Sequence, residues 1–120
     1  MPIVRIEVAG PHKPVDGLAA EIAHRLAHIL GGDPSGTWVT VGSIASGDYA
    51  EGDGGPPEGV RPVFVSILRA DLPTHDLLRT EAADVAATVA GCCSVPVDNV
   101  HVFYEPAGRG RVAFGGALLE

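Results

Sequence analysis

The chain has 120 residues, 46% of them apolar, and a formal charge of −7 from 15 acidic and 8 basic side chains. That length suits one domain with a real core, and that apolar content argues against disorder. An acidic balance speaks against nucleic acid, whose phosphates demand a basic footprint, yet leaves room for a small anion held by a few gathered arginines. No apolar run is long enough to span a bilayer and no secretory pattern opens the chain, so a cytoplasmic protein is expected. Cys92 and Cys93 are adjacent and pair poorly, and no second ligand pair exists for zinc. They read as packing residues.

Residues Ile3 to Val8 form a β-branched run behind Pro2, apolar and charged positions alternating from Val4 on, the pattern of a strand headed by a proline. Loss of Met1 would turn the Pro2 nitrogen into a free secondary amine. An α-amino group has an ordinary pKa of about 7.7 to 8.0, and burial or a nearby cation lowers it, so such an amine can act as a general base near neutrality. Gly10–Pro14 reads as a loop, with Asp16 expected as the cap of a helix whose apolar face is Leu18, Ile22, Leu26 and Ile29. His24 and His28 have metal-ligand spacing on that helix but face away from its apolar side without a third ligand, and read as solvated. Gly31, Gly32 and Pro34 stop the helix, and Thr37–Val41 reads as a second strand.

Residues 48–59 hold four acids among turn-forming residues and no GxxxxGK, which reads as a linker rather than a phosphate loop. The pattern then begins again. Pro62–Leu68 is a proline-headed strand, and Thr74 caps a helix with Leu78, Ala82, Val85 and Val89 on one face. Gly91 and Pro96 end it before a fourth strand, Val100–Tyr104. The halves near 2–59 and 62–120 thus read as pseudo-repeats of one domain, each a β-α-β unit. Together they predict an α+β fold, a four-stranded mixed sheet with two helices on one face. The bare face calls for self-association. Nothing points to a metal, nucleotide or flavin, and no cofactor is expected.

The N-terminal proline, the duplicated unit and the tail Val100–Gly116 resemble the tautomerase superfamily, which includes 4-oxalocrotonate tautomerase and macrophage migration inhibitory factor. The resemblance covers the whole chain. It implies a homotrimer with sites between subunits, Pro2 as proton carrier, and a small carboxylated substrate. It also implies that Arg69, after the third strand, grips the carboxylate as certain relatives' arginines do; a guanidinium fork suits that task. His12 and Lys13 stand where an arginine follows the first strand in short tautomerases, so Lys13 is the candidate cation there. Thr40 and His101 stand where those enzymes have a second arginine. Val112 falls near the family's wall aromatic, with Phe114 two residues on, and Phe103 where some relatives have tyrosine. Arg109 and Arg111 flank Gly110 as a possible second anion clamp or as intersubunit ion pairs. The expected activity is cofactor-independent keto–enol tautomerisation. The alternatives are hydration-linked dehalogenation or decarboxylation of a three-carbon acid, for which the acid before the second strand is displaced to Asp33, and a non-catalytic protein of the same fold.

Overall fold

Two β-branched strands at the centre of the sheet set the architecture of the computed structural model, which describes residues 1–11 and 13–120. Strand β1 (Ile3–Ala9) buries Val4, Ile6 and Val8, and β3 (Val63–Leu68) buries Val63, Val65 and Ile67. They pair antiparallel, with Ile3 opposite Leu68 and Val8 opposite Val63. Strand β2 (Trp38–Ile44) lies parallel to β1, and β4 (Val100–Tyr104) parallel to β3. The order is β2-β1-β3-β4. Each parallel pair is joined through a helix, α1 (Leu18–Leu30) or α2 (His75–Cys93), as parallel neighbours require.

Both helices cover the face to which β1 turns its even-numbered residues. Leu18, Ile22 and Leu26 from α1 and Val85 and Val89 from α2 meet that face in one core. Leu78 and Ala82, expected on the buried stripe of α2, are only half-buried, while Ala90 and Cys93 lie inside. Both cysteines are free thiols; burial pushes Cys93 above its ordinary pKa and does the same to half-buried Cys92. His24 and His28 are exposed, as their place on the helix wheel implied.

The caps divide. Thr74 accepts from the Leu77 amide at 3.5 Å, as expected. Asp16 does not cap α1. Gly17 takes that place with φ of 86°, a left-handed conformation glycine adopts freely, and the Leu18 amide closes a turn onto the Val15 carbonyl. Strand β2 also runs three residues past its expected end. A short hairpin, β5 (Ala113–Phe114) and β6 (Ala117–Leu118), closes the chain around Gly115 and Gly116. Among the described residues no α-helix covers the opposite face of the sheet, which is bare apart from contacts of the tail and of Tyr49. Trp38 and Phe103 are exposed there, 53% and 48% of their surface in solvent, which is large for aromatics. No helix among the described residues is long and apolar enough to cross a membrane.

Candidate active site

Pro2 is buried at the head of β1, where its carbonyl accepts from the Trp38 amide at 3.0 Å. Two glycines make room around this end of the chain. A methyl group on Gly32 would stand 3.7 Å from Pro2 Cδ, and one on Gly36 would stand 3.6 Å from the Met1 nitrogen. A third, buried Gly108, receives the Met1 side chain. A Cβ there would lie 2.9 Å from Met1 Cε and 3.2 Å from both the Arg69 carbonyl oxygen and Val112 Cγ2. The Gly108 amide donates to that same carbonyl at 2.7 Å, so the backbone is already pressed against the end of β3. Continuing the β1–β3 register by one residue sets Pro2 opposite Arg69.

A cleft of about 320 Å³ opens on the bare sheet face next to this corner, lined by Ile3, Arg5, Ser66, Glu105, Arg111 and Val112 among others. Val112 bounds both the cleft and the seat of Met1. Ser66 Oγ donates to Glu105 Oε1 at 2.8 Å. Arg5 and Arg111 form no ion pair among the described residues. The two guanidinium groups outnumber the one carboxylate, Glu105, so the cleft's local charge is opposite to the chain's net charge. Arg5, Ser66 and Glu105 were not singled out in the sequence. The signal was there for Arg5, because alternation in β1 puts the odd-numbered residues on the face away from the helices.

The other expected site residues separate. Arg69 turns its guanidinium inward, pairing with Glu81 and donating to the Leu30 carbonyl at 3.2 Å, which satisfies a free oxygen at the end of α1. Glu81 also accepts from the Tyr104 hydroxyl at 2.7 Å. Burial first, and that hydrogen bond second, push the Tyr104 phenol well above its ordinary pKa. Arg109 forks onto Asp71 at 2.9 and 2.5 Å and donates to the Glu120 carbonyl at 2.7 Å, so it pins the tail within the chain. The Arg109 hydrogen bond holds the Asp71 carboxyl below its usual range.

Phe114 meets Trp38 edge to face at 5.5 Å, joining the hairpin to β2. His101 and Phe103 sit on β4 opposite Phe64 and Ser66, and the His101 ring lies 5.5 Å from Phe64. Lys13 follows the far end of β1, beside Arg61, and so belongs to the Pro62 end of the sheet rather than to the Pro2 corner of its own chain. His12 lies outside the described residues. Asp33 is exposed and accepts from the Gly36 amide at 2.9 Å; its hydrogen bond from Ser35 is the main reason its carboxyl is held low.

No protein-family model matches the chain, and no curated protein does. Solved structures do. A symmetric trimer of a fused 4-OT superposes with a TM-score of 0.77 at 13% identity, covering 98% of this chain and 94% of that one. Macrophage migration inhibitory factor from Oncomelania hupensis gives 0.73 at 16% identity, covering 100% and 83%. The homologue from Prochlorococcus marinus gives 0.72 at 14%, covering 98% and 99%. The four-stranded mixed sheet with its two helices superposes on all three over nearly the whole chain, and the chain has the tautomerase-superfamily fold.

Proposed function

We propose that the protein is a cofactor-independent tautomerase of a small carboxylated enol, with Pro2 as its base once Met1 is removed. The observation that carries this reading is the corner at buried Pro2, where Val112 bounds both the seat of Met1 and the Arg5–Arg111 cleft. Removal of Met1 frees the amine and vacates the space over Gly108 in one step. The neutral amine takes the proton of the enol hydroxyl, the O–H electron pair closes the carbonyl, and the C=C pair takes the proton back from the ammonium at carbon. No atom is gained or lost.

Arg111 and Arg5 are assigned to the substrate carboxylate and to the charge that builds on the enolate oxygen. Arg69 is assigned a positioning role instead, since its fork is engaged by Glu81 and Leu30. In this proposal the chain, with its halves near 2–59 and 62–120 as pseudo-repeats of one domain, forms a homotrimer as the fused 4-OT neighbour does, and its copies cover the sheet face away from the helices. His101, Phe103 and Phe114 lie outside the lining of this cleft and are assigned to the sites that neighbouring subunits share.

Glu105 favours one second reading. A carboxylate in the same cleft is the kind of group that activates water, as hydration-linked dehalogenation or decarboxylation of a three-carbon acid would need. The test is ketonisation of phenylenolpyruvate by the purified protein, alongside halide and carbon dioxide release from three-carbon acids. Ketonisation that falls about a hundredfold in Pro2→Ala supports the first reading. Release of halide or carbon dioxide without ketonisation supports the second, and ketonisation unchanged in Pro2→Ala removes the proline from the mechanism.

A further inference from the structure

The eight basic side chains sort themselves. Arg25, Arg69, Arg79 and Arg109 pair with carboxylates. Of the remaining four, two line the cleft beside Pro2, and the other two, Lys13 and Arg61, line a second cleft of about 270 Å³ at the other end of β1. From Ile3 to Val8, the β1 residues that line the two clefts, the strand advances roughly 17 Å at about 3.3 Å per residue. The second cleft is therefore a separate place on the chain.

The antiparallel register explains why it exists. The head of β3 lies against the tail of β1, where the Ala9 amide donates to the Pro62 carbonyl at 2.9 Å. Pro62 thus stands to this end of the sheet as Pro2 stands to the other, and Arg61 precedes it as Met1 precedes Pro2. Pro62 is internal, so its nitrogen is an amide without a basic lone pair, and no proline chemistry is available here. Binding is another matter.

Arg61 lies over Gly10, where a Cβ would stand 3.3 Å from Arg61 Cγ and 3.5 Å from Nε. The Arg61 carbonyl is fixed by Asn99 Nδ2 at 3.3 Å. Its Nε is enclosed and has no hydrogen-bond acceptor, the one such buried side-chain atom among the described residues. An enclosed donor on a cation, left without an acceptor, is costly. Cys93 and Cys92 line the cleft as well, but both thiols are shifted upward and stay neutral, so they bring no negative charge. The remaining walls come from Val8, Pro14, Val15 and Leu18, with Ser94 the one other polar residue.

From this juxtaposition we infer that the Pro62 end holds a second, non-catalytic binding site for a small carboxylate with an apolar body, gripped by Arg61 and Lys13. The carboxylate meets the Arg61 guanidinium and the Lys13 ammonium where they line the cleft, and the aliphatic and thiol walls take the rest of the molecule. This inference does not need Pro2 to be a base.

Benzoate titrated into ¹⁵N-labelled protein tests it, with inorganic phosphate as a second arm. The expected result is saturable shifts of the Arg61 Nε–H and of the Gly10 and Ser94 amides. The dissociation constant should weaken at least tenfold in Lys13→Gln and in Arg61→Gln, and be unchanged in Pro2→Ala. Lys13 is exposed, so its variant keeps the test valid if Arg61→Gln folds poorly. Shifts confined to the Arg5–Arg111 cleft, equal affinity in Lys13→Gln and wild type, or phosphate binding as tightly as benzoate would each overturn the inference.

Discussion

Arg69 and Glu81 form an ion pair within the chain, their side chains only 20% and 11% exposed, and Tyr104 completes the cluster by donating its hydroxyl to the second carboxylate oxygen. The pair ties the end of β3 to α2, and through the Leu30 carbonyl to the end of α1. Removing one partner strands the other charge in a poorly solvated place, which costs about 3 kcal/mol. Arg69→Met should therefore unfold at markedly lower urea, with the slope of the transition unchanged. If Arg69 instead serves mainly to hold substrate, the variant raises KM and leaves the urea midpoint where it was.

Tyr104 gives a pH signature. Its phenol is shifted up in the folded state, so the stability it contributes is full below the ordinary tyrosine value near 10 and is lost as pH rises through the folded value. Ultraviolet titration should show Tyr104 ionising well above free tyrosine. Glu81→Gln removes the carboxylate's share of the shift and should bring the titration down, while burial keeps it above the free value.

The cleft arginines should behave differently from Arg69. Arg111→Ala and Arg5→Ala each remove a charge-assisted bond to the substrate carboxylate, about 1.5 to 3 kcal/mol, or roughly ten- to a hundredfold in kcat/KM. Neither has an ion-pair partner to strand, so the melting temperature should stay within a degree or two. Steady-state kinetics with matched thermal melts checks both halves of that statement.

Gly108 is the steric floor of the corner. An added methyl would press on the Arg69 carbonyl and on Val112, and backbone cannot yield as a flexible side chain does. Gly108→Ala should cost about 1 to 3 kcal/mol by overpacking and should also raise KM, because it fills the space that Met1 vacates. A stable variant with native KM would place the substrate elsewhere.

Much of the fold was legible because its central strands carry β-branched residues at alternate positions and its helices carry apolar residues three and four apart. Pro2 and Pro62 marked both strand heads for the same reason, lacking a ladder donor that a strand interior would need. The failures were local or long-range. Asp16 looked like a cap by residue type, but the left-handed turn at Gly17 is a backbone choice that composition does not announce. Arg69 looked like a free fork because its partner, Glu81, is twelve residues away on the next helix. Lys13 follows β1, and the length of that strand carries it to the Pro62 end of its own chain's sheet, a separation that the position after a strand does not by itself reveal. Arg5 was hidden in a charged alternation whose outward side acquires meaning only when Ser66 and the tail come together beside it.

The state of one nitrogen can be read directly. With ¹⁵N-proline labelling of the mature protein, nine of the ten prolines are amides that do not titrate, whatever their surroundings. The account predicts one proline nitrogen with the shift of a secondary amine, titrating below the ordinary α-amino value of about 7.7, and perturbed when phenylpyruvate is added. Ten non-titrating amide resonances in mature protein, or an amine titrating at or above that value and indifferent to the ligand, would contradict it.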